Sequence, residues 1–222
     1  MGKTIQLTSA DGHTFDAYVA EPAGKARGAV VVIPEIFGIN VHIRSVADGY
    51  AADGYLAVAP ALYDRVQRNY ESGYTQPEIQ AGVAIKGQIS NDTALADAQA
   101  AIDYAKSAGK VGIVGYCWGG TIAWYAAARA KNLSAAVSYY GGGVPELKGE
   151  QPKVPTMFHF GETDHSIPLD KAKEVAAAHP EVTTYYYAAG HGFNCDMRGS
   201  YHEGSAREAR ARTVEFFRKH LG

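Results

Sequence analysis

The sequence predicts an α/β fold, with a mostly parallel central sheet flanked by helices. Three observations carry that expectation. Short continuous runs of β-branched and apolar residues recur along the chain, as strands buried on both faces of a sheet require. Helical patterns lie between these runs, which gives the alternation of βαβ units. No Pro/Gly/Ser-rich linker and no repeat of roughly 20 to 50 residues breaks the alternation, so residues 1–222 are expected to form a single domain.

Taken in order, the chain opens with two alternating segments, TIQLT and TFDAYVA, separated by Ala10-Asp11-Gly12. This is turn chemistry between half-buried strands and reads as an edge hairpin. The run GAVVVIP then marks the first strand buried on both faces, and the pattern returns in LAVAP, VGIVGY, AAVSYYG, VPTMFHFG and VTTYYYA. Helical patterns are expected over roughly 41–53, 92–108, 118–130, 168–178 and 204–220. The stretch 61–91 is the least regular, follows a strand end and carries Tyr63, Arg65 and Arg68. Loops at the carboxyl ends of strands in open α/β sheets are where ligands bind, so this stretch is expected to contact substrate.

With 46% hydrophobic and 20% charged residues the chain can bury a full core. Its formal charge of -2 comes from scattered residues and leaves no basic footprint for nucleic acid or an anionic membrane, so a small molecule is the expected partner. The opening MGKTIQLTSADG lacks the pattern of a signal peptide, and the run AVVVI is too short to span a bilayer. A cytoplasmic protein, monomeric or a small homo-oligomer, is expected. The two cysteines, Cys117 and Cys195, make a poor case for a structural disulfide in such a compartment. No HExxH, CxxC or clustered His/Cys spacing appears, so no metal and no cofactor is expected.

The segment Gly115-Tyr116-Cys117-Trp118-Gly119-Gly120 stands between a predicted strand and a predicted helix. It has the nucleophile-elbow pattern with Cys where Ser is usual. Glycines two before and two after the nucleophile let strand and helix backbones approach closely. The turn puts Cys117 at a helix N-terminus, where unpaired N–H groups favour a thiolate. Alone, this string fits a small buried cysteine in a packing turn equally well. Asp164 in GETDHSIP and His191 in AAGHGFN break the tie, because both follow strand ends in the order nucleophile, acid, histidine. A thiol needs a base, and the base needs a carboxylate to fix its tautomer. The N–H of Trp118 and that of Ile36, in the loop Pro34-Glu35-Ile36-Phe37-Gly38, are the candidate oxyanion donors. Glu35 in that loop is either a carboxylate at the mouth of the cleft or a solvated, helix-capping residue.

These segments resemble the dienelactone hydrolase family, the carboxymethylenebutenolidases: PEIFGIN at 34–40, APALYDR at 59–65, VGIVGYCWGG at 111–120, FGETDHSIP at 160–168 and HGF at 191–193. The resemblance implies an α/β-hydrolase fold without a large cap domain and a Cys117, Asp164, His191 triad. It also implies that Glu35 contacts the nucleophile and that two arginines hold a substrate carboxylate. Arg65 falls where the first arginine is expected. The second is expected four residues after the triad histidine, where this chain has Cys195; the neighbouring Arg198 either reaches a similar place from another backbone position or is a solvated surface charge. A thiolate leaves a tetrahedral intermediate more readily than an alkoxide, so small enol lactones and activated esters are the expected substrates, through a thioester acyl-enzyme. Two rival readings remain at this point: a thiol-based redox or stress protein using Cys117 and Cys195, and a hydrolase-fold binding module without catalysis.

Overall fold

The computed structural model describes residues 2–222. The hairpin β1 (Lys3–Thr8) and β2 (Thr14–Ala20) opens the chain, followed by β3 (Ala29–Ile33), α1 (Val41–Ala52) and β4 (Leu56–Pro60). Helices α2 (Gln76–Lys86) and α3 (Asn91–Ala105) precede β5 (Val111–Tyr116), α4 (Trp118–Arg129) and β6 (Ala135–Tyr139). The chain ends with β7 (Thr156–Gly161), α5 (Leu169–Ala178), β8 (Thr183–Tyr187) and α6 (Glu203–Leu221).

The strands form one sheet in the order β1-β2-β4-β3-β5-β6-β7-β8. β1 and β2 pair antiparallel, as do β2 and β4, and every later neighbour is parallel. The continuous apolar runs occupy the middle of this sheet: every residue of β3, β5, β6 and β7 is buried. Helices cover both faces, so these strands have no wet side and no reason to alternate. The edge strand β1 does alternate, with Ile5 and Leu7 packed against the core and their neighbours exposed.

Residues 61–91 are more ordered than their sequence predicts, because α2 lies within them. Thr75 and Glu78 form a capping box at its start and Pro77 sits in its first turn, both favourable at a helix N-terminus. Gly82 in the middle of α2 hides the helix from a propensity reading. Its reason is contact: a Cβ there would stand 2.3 Å from the carbonyl oxygen of Ile36. The helix thus packs directly on the loop that carries Glu35 and Ile36.

Candidate active site

The turn after β5 places Cys117 above the sheet with φ 55° and ψ -118°, a strained conformation for a residue with a side chain. The surrounding backbone enforces it. A Cβ at Gly115 would lie 1.8 Å from the carbonyl oxygen of Gly119, and one at Gly119 would lie 2.3 Å from that of Ile33. The Cys117 N–H donates to Tyr139 O at 3.0 Å and its carbonyl accepts from Gly120 N–H at 2.9 Å, which pins the turn to β6 and α4. Trp118, the first residue of α4, has an N–H with no intrahelical acceptor.

Asp164 and His191 come from the loops after β7 and β8 and meet through Asp164 Oδ2 and His191 Nδ1 at 2.9 Å. Asp164 is buried, and its other oxygen accepts from Ser166 N–H at 2.7 Å and Ile167 N–H at 3.1 Å. The carboxylate is therefore fixed in orientation and aimed at one ring nitrogen. Burial alone would lower the His191 pKa, but its interactions with Cys117 and with the Asp164 carboxylate outweigh it and hold the imidazole up at about 10. Tyr140 packs edge-on against the ring with centroids 5.2 Å apart.

Cys117, His191, Trp118 and Ile36 line one cavity of about 660 Å³, a size suited to a small organic ligand. Ile79, Val83 and Lys86 of α2 form another part of its wall, and Arg198 reaches it from the loop after His191. Arg198 Nη1 also donates to Glu35 Oε1 at 3.0 Å, while its guanidinium lies over the rings of Phe37 and Tyr74. Gly192 permits this approach, since a Cβ there would meet Arg198 Nη1 at 2.5 Å. Glu35 is 1% exposed and stands behind the arginine, with Oε2 left without a partner among the described residues.

Two residues expected at the substrate lie elsewhere. Arg65 is fully occupied: its Nε and Nη2 each donate to a different oxygen of Asp97 at 2.7 Å, Nη1 pairs with Asp11 at 2.8 Å, and Nη2 also reaches Ser9 Oγ. Neither Arg65 nor Tyr63 lines the Cys117 cavity. Arg65 therefore stands apart from the cavity with all three guanidinium nitrogens engaged, which favours a structural role over the expected one as a substrate ligand. Tyr63 is likewise better placed as a support. It donates its hydroxyl to Gly82 O at 2.8 Å and packs its ring 5.4 Å from Trp118, so it braces α2 against the elbow. Conversely, the sequence does not single out Lys86, Thr121 or Ser166 on the cavity wall. The capping box was the available signal for α2, and hence for Lys86 in its last turn.

The eight-stranded sheet, the strained turn after its fifth strand, and a carboxylate-bound histidine opposite that turn define an α/β-hydrolase. Residues 15–221 match the profile of the Dienelactone hydrolase family. The chain belongs to this family. It is 35% identical to a putative carboxymethylenebutenolidase of Synechocystis sp., over 92% of this chain and 91% of that protein. It is also 35% identical to a carboxymethylenebutenolidase of Pseudomonas putida, over 96% and 94%. Among solved structures, a putative dienelactone hydrolase from Klebsiella pneumoniae superposes with a TM-score of 0.84 at 31% identity, covering 98% of this chain and all of that one. The protein is a hydrolase of the carboxymethylenebutenolidase kind, and among its described residues no helix is long and apolar enough to cross a membrane.

Proposed function

We propose that the chain hydrolyses small enol lactones or activated esters with Cys117 as nucleophile, His191 as base and Asp164 as its orienting carboxylate. One observation carries the reading: Cys117 stands on a strained elbow in the same cavity as His191, whose far nitrogen is bound to Asp164. The thiolate sulfur attacks the carbonyl carbon, and the resulting oxyanion is met by the N–H groups of Trp118 and Ile36. Collapse breaks the bond to the leaving oxygen, which takes a proton from His191 and leaves a thioester. His191 then removes a proton from water, hydroxide adds to the thioester carbon, and the acid departs as Cys117 is released. Enol and phenol leaving groups suit this sequence because they compete with a thiolate for expulsion.

In the same reading Arg198 supplies the charge that recognises a carboxylate on the substrate, with Lys86 of α2 as a second, exposed cation on the cavity wall. Arg198 also holds Glu35, so an anionic ligand that takes the arginine loosens the Glu35 contact. Glu35 then accepts the proton of Cys117 and the nucleophile forms in the occupied site, while His191 enters as the imidazolium that protonates the leaving oxygen; Glu35 returns its proton to Cys117 when the acid departs. A redox role for the two cysteines fits less well. Burial first, and the charge of Glu35 next, push the Cys195 thiol up to about 12, whereas oxidisable thiols are accessible and of low pKa.

The test is mass spectrometry of a quenched reaction with p-nitrophenyl acetate. The acyl adduct is expected on the Cys117 peptide, and Cys117→Ala should lose about three or more orders of magnitude in kcat. An adduct confined to Cys195, or full activity in Cys117→Ala, would refute the reading.

A further inference from the structure

Beside the Glu35–Arg198 pair lies a cluster that the proposed hydrolysis does not use. Glu35, His42 and Cys195 each offer one donor atom, and these carboxylate, imidazole and sulfur atoms all lie within 4.8 Å of one another. The three residues are 1%, 5% and 0% exposed. Glu35 Oε1 is taken by Arg198 and His42 Nδ1 by Asp196, at 3.0 and 2.9 Å. What remains is Glu35 Oε2 and His42 Nε2, both buried and both without a partner among the described residues. Two unpaired polar atoms in one buried cluster call for an occupant.

We propose that Glu35, His42 and Cys195 form a binding site for a divalent transition-metal ion of the zinc class. The mixed oxygen, nitrogen and sulfur donors suit zinc, and the sulfur disfavours magnesium or calcium. Zinc bonds of about 2.0–2.3 Å in a tetrahedron put donors roughly 3.5 Å apart, so the three atoms need close by little more than about 1 Å from their upper limit. Asp196 supplies the outer carboxylate that orients the free nitrogen of a metal-binding histidine. On binding, the Cys195 thiol gives its proton to solvent, and the thiolate and Glu35 balance the two positive charges of the ion. The charge of Asp196 offsets that of Arg198. His42 and Asp196 line a separate cavity of about 390 Å³ on the outer side of the cluster. Resting on the role given to Glu35 above, an ion on Oε2 also fixes that carboxylate and slows hydrolysis.

The sequence has just two cysteines, so Cys117→Ser leaves Cys195 as the sole thiol. Cobalt(II) titrated into this variant should give a thiolate-to-cobalt charge-transfer band that saturates at one equivalent and is displaced by zinc. Adding Cys195→Ser should abolish the band. In the otherwise wild-type chain, zinc competition against a chromophoric chelator should show at least tenfold weaker binding in His42→Ala and about tenfold weaker in Asp196→Asn, with circular dichroism confirming that each variant is folded. Absence of the band in folded Cys117→Ser, or unchanged zinc affinity in His42→Ala, overturns the proposal. Both readouts are independent of turnover: failure of the metal site leaves the hydrolase reading standing, and failure of the nucleophile assignment leaves the metal site standing.

Discussion

Arg65→Ala separates a structural arginine from a substrate ligand, and the two roles predict different losses. The side chain makes two 2.7 Å bonds to Asp97, which is 0% exposed. Removing one partner of a buried ion pair strands the other and costs about 3–5 kcal/mol. For a chain of this length each kcal/mol moves Tm by about 2–4 °C, so a fall of roughly 6 to 20 °C is expected. Burial already pushes Asp97 above the usual carboxylate range, with Arg65 opposing it. Without the arginine the folded-state pKa rises further while the unfolded value stays near about 3.9. The native variant then holds a proton that the unfolded chain has lost, so its stability declines as pH rises through the raised pKa. Thermal and urea unfolding should therefore show a smaller deficit at pH 5 than at pH 8. At temperatures where the variant is folded, kcat/KM for charged and uncharged esters should be unchanged relative to each other. A variant within about 1 kcal/mol of wild type that loses activity selectively on carboxylate-bearing lactones would refute the argument and restore Arg65 to the substrate.

The arginine with the opposite expectation is Arg198, which lines the cavity. Arg198→Ala should cost about 1.5–3 kcal/mol, or roughly 10- to 150-fold in kcat/KM, on carboxylate-bearing lactones, and equal losses on uncharged esters would remove it from substrate recognition. Glu35→Gln should alkylate faster with iodoacetamide at neutral pH, because the charge opposing the thiolate is gone, yet hydrolyse anionic lactones more slowly. Both rates within about twofold of wild type, far below the 10² to 10⁴ of a general base, would make Glu35 a bystander. Gly82→Ala should lower kcat while far-ultraviolet circular dichroism stays native, since the added methyl is directed at the Ile36 carbonyl 2.3 Å away; unchanged kcat would show that the Ile36 loop does not set the oxyanion geometry.

How much of this was legible depended on how local the signal was. The inner strands and the elbow announce themselves, because burial on both faces demands unbroken β-branched runs and the turn demands glycines at fixed offsets. The 2.9 Å contact between Asp164 and His191 joins residues of two different loops, and both are legible as candidates because each follows a strand end. The structural role favoured for Arg65 is hidden from the sequence for the complementary reason. Its buried partner Asp97 is 32 residues away on α3, and nothing near Arg65 in sequence shows that its charge is spent. Helix α2 was missed because Pro77 and Gly82 look like breakers until the capping box and the close approach to Ile36 explain them. Glu35, His42 and Cys195 have no metal-ligand spacing at all, since the fold alone brings them together.

Helix α2 presents Ile79, Val83 and Lys86 to the cavity, which is one face of a helix read at every first, fifth and eighth position. The groups proposed to react all stand on other elements: the turn after β5 and the loops after β7 and β8. Selection can therefore rewrite the wall and leave the reacting atoms in register. This helix is the natural place for relatives to diverge in the acyl groups they accept. A library randomised at those three positions alone would sample new selectivities without first having to rebuild the chemistry.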